Sequence, residues 1–153
     1  MDKREYVNQF TRVRKSLVET VLNYPDDKLG EIVSGEWNIK CVMAHIAGWD
    51  TYFTMIVKLL MLGTEVPYRG DNIDGWNDAM VKERAGKSWS EVRDEFVKAS
   101  EEFQKEYGNL DEELWNRRFW EQRAVTPAWV VKHIIEHYKE HGAEIEKALM
   151  KTE

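Results

Sequence analysis

The sequence predicts an all-α protein: a four-helix bundle with one extra short helix between the second and third bundle helices. Four long segments repeat apolar residues at the three- and four-residue spacing of an amphipathic helix. With only 3 prolines and 9 glycines in 153 residues, these segments run largely uninterrupted. No stretch sustains an apolar–polar alternation, and no Asn-Gly or Asp-Gly pair joins two β-rich runs. We therefore expect residues 1–153 to form a single helical domain.

The first bundle helix is expected from about Lys3 to Tyr24, with apolar residues on one face. Pro25 ends it, because proline lacks the N–H that the helical hydrogen-bond ladder requires. Residues 26–37 are interpreted as a connection, with a short turn near its start. The second helix is then expected to begin near Asn38.

Two residues of the second helix require a separate interpretation. Asp50 falls on the apolar stripe, and a buried carboxylate needs a partner because its charge is costly to desolvate. We expect it to bond an inward tryptophan N–H or a cation, in a structural role rather than a catalytic one. Cys41 is an alternative metal ligand or nucleophile, but a small buried apolar role is the commoner outcome for such a residue.

The helical pattern lapses between Gly63 and Lys87. Within this stretch we predict a short helix from Gly75 to Arg84, capped by Asp74. An excursion of this length between two core helices often forms a lid or one wall of a pocket, and Trp76 and Asn77 are its candidates for touching a ligand. The alternative is a loop whose tryptophan only plugs the end of the bundle.

The third and fourth bundle helices carry clear start signals. Ser88 opens a capping-box pattern, and the helix after it stops at Gly108. Thr126 and Pro127 begin the last helix as its cap and its first residue. The connection between these helices mixes aromatic residues with three arginines, which either clamp an anionic or planar ligand or pair with surface carboxylates: Arg117, Arg118 and Arg123.

The four histidines form the most informative pattern in the chain. His133, His137 and His141 stand four residues apart on the last helix, and His45 lies on the second. Residues four apart share a helix face, so two such imidazoles can reach one ion, and a facing helix can supply a third ligand. By helical phase, His45, His137 and His141 lie on half-buried flanks, whereas the remaining histidine faces solvent. We predict a three-histidine metal site that excludes His133; the alternative is that separate backbone or carboxylate partners satisfy each ring.

Two short motifs carry a family resemblance. Residues 37–46, with Ala-His-Ile at their end, and residues 137–141 (His-Tyr-Lys-Glu-His) resemble the DinB-like superfamily, in order and over nearly the whole chain. The form of the second motif, with Trp-Asn at 76–77 and Gly-Lys-Ser at 86–88, is more similar to the ClbS/DfsB branch. The resemblance implies a four-helix bundle whose metal ligands match His45, His137 and His141. Residues 141–144 (His-Gly-Ala-Glu) replace the His-Arg-Gly-Gln run common in that superfamily, and the ClbS/DfsB branch does not uniformly keep the first of these histidines.

Charge and cysteine content limit the partners and the compartment. The formal net charge of −6 argues against a nucleic-acid partner, because phosphate binding needs concentrated lysine and arginine. The lone Cys41 allows no internal disulfide and suits a reducing, cytoplasmic location. Residues 2–5 open directly into a helical pattern without a signal-peptide core, and the most apolar run, residues 55–62, is too short to span a bilayer. We expect no membrane partner and leave a homodimer open.

Two classes of function fit these patterns. In the first, the protein is an enzyme whose neutral imidazoles hold a divalent metal, Zn²⁺ or Ni²⁺, with open positions for water or a substrate thiol. Tyr52 shares the flank of His45 and is the candidate catalytic donor of a proton or hydrogen bond. Glu140 is not assigned as a base, because its helical phase points away from His137.

The resemblance adds expectations about the chemistry of a small-molecule substrate. The DinB-like pattern implies hydrolysis or thiol transfer, and the ClbS/DfsB pattern implies hydrolytic protection against an electrophilic small molecule, with or without metal. In the second class, the bundle only binds or sequesters a ligand without metal, and its 7 tryptophans line a pocket. In either class Trp49, Trp76 and Asn77 are the candidate pocket residues.

The position of the site follows from an expected up-down-up-down order of helices. In that order the histidines lie near the end where the first helix joins the second, far from the connection that follows the second helix. Trp76 therefore reaches them only if residues 63–87 fold back along the bundle. At about 3.3 Å per extended residue, residues 63–75 are long enough for that return, and we predict that it occurs.

Overall fold

Four long helices and one short helix carry most of the chain in the computed structural model, which describes residues 2–151. The helices are α1 (Lys3–Leu22), α2 (Ile39–Met61), α3 (Ile73–Glu83), α4 (Trp89–Gly108) and α5 (Pro127–Leu149). Two 3₁₀ turns, Asp26–Lys28 and Glu112–Leu114, lie in the connections. The expected all-α bundle with an extra short helix is confirmed, and each boundary lies within a few residues of its predicted place.

The helix caps agree with the sequence at two of the three predicted positions. Ser88 and Glu91 form the reciprocal capping box at the start of α4. The Thr126 side chain accepts a hydrogen bond from the Trp129 N–H at the start of α5. The predicted cap of the short helix is wrong: Asn72, not Asp74, caps α3 by accepting from the Gly75 N–H at 3.1 Å, so the helix begins earlier.

A small hairpin interrupts the helical architecture before α2. Strands β1 (Ile32–Ser34) and β2 (Trp37–Asn38) pair antiparallel, and Gly35 supplies the left-handed turn conformation with φ of 57°. The sequence does not predict this hairpin, because strands this short show no alternation of apolar and polar residues. The hairpin matters for function because it places the Trp37 ring against His45, with centroids 5.1 Å apart.

The order of the helices differs from the expected up-down-up-down arrangement, because α2 and α4 run parallel. Lys40, near the start of α2, bonds the Lys87 carbonyl just before α4 at 2.7 Å, and Lys58 pairs with Glu102 further along both helices. The 23 residues of α2 span about 35 Å. The chain between two parallel helices must travel back over that length, so residues 63–87 fold back along the bundle, as predicted.

The core lies between two helix pairs. α1 packs against α4 and α5, and α2 packs against the same two helices. Apolar and aromatic side chains fill the interior, including Phe10, Phe96, Phe103, Tyr107 and Tyr138. None of the helices in residues 2–151 combines the length and the apolar character that crossing a bilayer requires.

Asp50 lies within this core and is 0% exposed. It accepts a hydrogen bond from the Tyr138 hydroxyl, so the expected tryptophan or cation partner is wrong. Burial raises the pKa of Asp50 to about 7, against the opposing effects of that hydrogen bond and of the positive charge of Arg14. The guanidinium of Arg14 is itself held at 2.8 Å by the Ser100 hydroxyl. The helical phase of α2 predicted that Asp50 is buried. It could not predict the partner, because Tyr138 lies 88 residues away in the chain.

Candidate metal centre and its cavity

Three histidines from two helices meet at one point. The Nε2 atom of His137 lies 2.8 Å from that of His45 and 3.0 Å from that of His141. One ligand atom from each of the three rings lies within 4.8 Å of the others. The predicted convergence is confirmed, and His133 is exposed and lies outside the cluster, as expected.

The fold brings these rings together because α2 and α5 run antiparallel and pack face to face. His137 and His141 follow one another by a helical turn, so they present their rings on one side of α5. His45 reaches them from α2, with its ring nearly perpendicular to both. The Trp37 ring of β2 then covers His45, which is 6% exposed. The site is thus enclosed on the hairpin side.

Glu144 orients one of the three rings. Its Oε1 atom lies 2.6 Å from Nδ1 of His141. A carboxylate only accepts, so Nδ1 carries the hydrogen and donates it, and in the neutral ring Nε2 keeps its lone pair for the cluster. Metal-binding histidines characteristically have such a partner. Sequence reasoning missed Glu144, although its position three residues after His141 is a spacing at which helix side chains meet.

The electrostatics keep two of the rings neutral. Burial lowers the pKa of His137 to about 2, and the neighbouring histidines lower it further in the same direction. Burial, and next His141, lower the pKa of His45 to about 4, against an interaction with the accepting Asn77 side chain that raises it. Neutral imidazoles carry the lone pairs that a metal ligand needs. Both rings are therefore ready to coordinate at neutral pH.

The donor set fits a divalent ion better than it fits a closed hydrogen-bond network. A ring nitrogen has either one hydrogen or one lone pair, yet Nε2 of His137 faces two nitrogens within 3.0 Å. Nitrogens bound to one tetrahedral ion at about 2.0–2.1 Å lie about 3.3 Å apart, which is within a few tenths of an ångström of the observed separations. The imidazoles suit both Zn²⁺ and Ni²⁺.

The histidines open into a cavity of about 470 Å³. Residues of α2, α3 and α5 and of both long connections line it, and seven of them besides the histidines are aromatic: Trp49, Tyr52, Phe53, Tyr68, Trp76, Trp120 and Trp129. Trp76 stacks on Trp49 with ring centroids 5.5 Å apart, and the Trp49 indole N–H donates to the Asn77 side-chain oxygen at 2.7 Å. The prediction that Trp76 lies in the pocket wall is confirmed.

The comparison with known families agrees with this arrangement. A family model of the DinB superfamily matches residues 9–145. The chain belongs to the DinB superfamily. No curated protein and no solved structure gives a significant match. The matched range includes all three clustered histidines, so in this DinB superfamily protein the candidate metal centre lies within the family domain.

Tyr52 stands in the cavity wall, where its ring contacts Trp76 edge-on with centroids 5.0 Å apart. Burial raises the pKa of the Tyr52 hydroxyl, against the nearby positive charge of Arg69. The hydroxyl is therefore protonated at neutral pH. Within residues 2–151 it has no hydrogen-bond partner, so it is free to donate to a molecule in the cavity.

Several other residues at the cavity differ from their sequence-based interpretation. Glu140 and His133 are exposed, as their helical phase predicted, yet both line the cavity near its mouth. Arg123 also lines it, and its guanidinium pairs with Asp71 at 2.9 Å. Arg118 instead donates to backbone carbonyls of its own loop. Phase within one helix cannot reveal these positions, because the long connections complete the cavity.

Proposed function

We propose that this DinB superfamily protein is a metal-dependent enzyme that acts on a small organic molecule, as a hydrolase or a thiol transferase in detoxification or stress protection. The observation that carries the proposal is the convergence of three Nε2 atoms, with separations of 2.8 and 3.0 Å, at the wall of an aromatic cavity. A ligand set on a cavity wall differs from a closed structural site, because a substrate can reach it.

The three histidines supply the ligands of the centre, and Glu144 supports one of them. His45, His137 and His141 hold the ion, Zn²⁺ or Ni²⁺, and Glu144 fixes the ring of the last of these. Such an ion, when bound, lowers the pKa of a coordinated water or thiol and polarises a substrate oxygen. The neutral state of the buried rings removes any need to release protons from them on loading.

The cavity residues orient the substrate beside this centre. Tyr52 donates a proton or a hydrogen bond to the reacting group, since its hydroxyl is protonated and unengaged. Trp49 and Trp76 form a stacked wall that excludes water, and Asn77 fixes that wall through the Trp49 indole N–H. Asn77 thus acts mainly by positioning a tryptophan, in addition to lining the cavity.

A ligand-binding protein that works without metal is the second candidate. The aromatic composition of the cavity favours it, since four of the 7 tryptophans lie in the wall. The resemblance to the ClbS/DfsB branch does not favour this candidate, because it implies hydrolysis of an electrophilic small molecule. The two candidates differ in one respect that is simple to measure, the metal content.

Metal analysis of untagged protein separates them, because an affinity tag would add histidines of its own. We expect one Zn²⁺ or Ni²⁺ per chain in the wild type and in His133→Ala, and loss of tight binding in His137→Ala. His133 is the matched control, since it lies one turn before His137 on the same helix but outside the cluster. Equal losses in both variants, or a wild type that binds no ion, would contradict the metal centre.

Activity assays then test the reaction. Hydrolysis of aryl esters and conjugation of a thiol to 1-chloro-2,4-dinitrobenzene are measured with metal-loaded and chelator-treated protein. We expect one of the two reactions to depend on metal and to be lost in His137→Ala. Tight ligand binding with no metal-dependent turnover would support the sequestering protein instead.

A further inference from the structure

We infer that the substrate of this site is a flat apolar molecule with one anionic group, and that Arg69 binds that group. The inference rests on the proposed function, because it takes the cavity beside the histidines as the substrate site. It names the class of substrate from two features of the cavity: the arrangement of its aromatic rings and the distribution of its charges.

Two groups of stacked aromatic rings line the cavity. Along α5, the Trp129 and His133 rings stack at 4.7 Å and 10°, and His133 and His137 follow at 5.9 Å and 14°. On the other side, Trp49 and Trp76 stack at 5.5 Å and 23°. Aromatic rings bind a flat aromatic molecule through edge-to-face or offset-stacked contacts, so this lining favours a flat ligand. A volume of about 470 Å³ lies in the range of sites for small organic ligands.

The mouth of the cavity also exposes apolar surface that a bound molecule would cover. Trp129 is 40% exposed and Ile73 is 42% exposed, and both line the cavity. The Trp120 ring joins them at the wall, where its indole N–H donates to the Pro67 carbonyl and so ties the two long connections together. The body of the substrate is therefore expected to be apolar.

The charged residues of the lining are not equivalent. Arg123 is paired with Asp71, which also accepts from the Tyr68 hydroxyl at 2.6 Å. Glu140 lies on α5 at the histidine side, where its charge acts on His133. The guanidinium of Arg69 has no carboxylate within 4.0 Å among residues 2–151. Apart from the charge of Glu140, the charge of the lining that has no ion-pair partner is thus positive.

Arg69 and Tyr52 lie at the junction of two cavities. Both line the main cavity and a second cavity of about 400 Å³ between α2 and α3, so they stand where the two meet. The positive charge of Arg69 also lowers the pKa of Tyr52, consistent with their proximity. The guanidinium of Arg69 offers several N–H donors in a planar fork, a set suited to a carboxylate, sulfonate or phosphate. An anion bound there leaves the flat body lying toward the histidines.

The test compares three probes of one size and shape: 2-naphthoate, 2-naphthalenemethanol and 2-naphthylmethylammonium. Binding is measured by calorimetry on untagged, chelator-treated protein, so that no metal attracts the carboxylate. We expect naphthoate to bind about tenfold or more tightly than the neutral alcohol, which is the scale of one charged hydrogen bond. Arg69→Gln should remove this preference and keep the affinity for the alcohol, and Arg69→Lys should retain part of it.

Arg12→Gln is the matched control, because it removes one exposed arginine of α1 that does not line the cavity. It should leave the preference for naphthoate unchanged. Equal affinities for naphthoate and the alcohol in the wild type, a preference for the ammonium probe, or a preference that survives Arg69→Gln would overturn the inference. The assay needs no metal. A naphthoate preference in a protein that binds no ion would therefore refute the proposed metal-dependent activity and still support the inferred class of ligand.

Discussion

Replacing Asp50 by Asn is expected to change how the stability of the fold depends on pH. Asp50 is 0% exposed, and burial raises its pKa from 3.8 to about 7. Between these two values the folded protein keeps a proton that the unfolded chain has released. The contribution of Asp50 to the free energy of unfolding is therefore fully present below pH about 4 and is lost as the pH rises through about 7. At 1.36 kcal/mol per pKa unit, the loss amounts to about 4 kcal/mol at most.

Two histidines of the cluster contribute with the opposite sign. The pKa values of His45 and His137 are lowered from 6.5 to about 4 and about 2, so their contributions are full above pH 6.5 and are lost as the pH falls. The dependence of wild-type stability on pH therefore combines both effects. The difference in stability between the variant and the wild type isolates the effect of Asp50. Asn keeps an oxygen that can accept from Tyr138. Relative to wild type, Asp50→Asn should gain up to about 4 kcal/mol of stability between pH 4 and pH 8.

Urea denaturation of chelator-treated protein, followed by helical circular dichroism across this pH range, measures the difference. Asp78→Asn, which neutralises an exposed carboxylate on α3, is the control and should show no such trend. A difference between Asp50→Asn and wild type that stays constant with pH, or that falls as pH rises, would refute the reasoning.

Further variants at four positions test the site and its wall. Glu144→Ala should weaken metal binding about 10–100-fold by calorimetry, with Glu144→Gln in between, because a partner of a metal-binding histidine is lost; unchanged affinity would contradict its role. Tyr52→Phe should lower kcat and leave metal stoichiometry unchanged, and equal turnover would remove Tyr52 from the reaction. Gly48→Ala would place a carbon 2.6 Å from the Met80 side chain, so thermal denaturation should show a loss of about 1–3 kcal/mol. Gly142→Ala, with open space around it, should instead stabilise α5 by about 0.5–1 kcal/mol, and similar effects of both changes would argue against tight packing of α3.

Much of the candidate site could be predicted from the sequence, because helical phase is a local property. Each residue advances a helix by a fixed angle, so the positions of His45, His137 and His141 relative to their apolar stripes follow from neighbouring residues alone. The same reasoning placed His133 outside the cluster. It also predicted the burial of Asp50, although not the partner that it bonds.

Other features were decided only by the tertiary structure, because they depend on residues far apart in the chain. The parallel arrangement of α2 and α4 follows from which helix faces pack together, and a helical pattern does not record the direction of its neighbour. That arrangement carries Trp76 back along the bundle to the cavity wall. The bond from Tyr138 to Asp50 spans 88 positions, and the 2.8 Å approach of His45 to His137 spans 92. The sequence determines which faces are apolar and which side chains lie on their flanks; packing determines which flanks meet, because contact energies arise only once the helices are side by side.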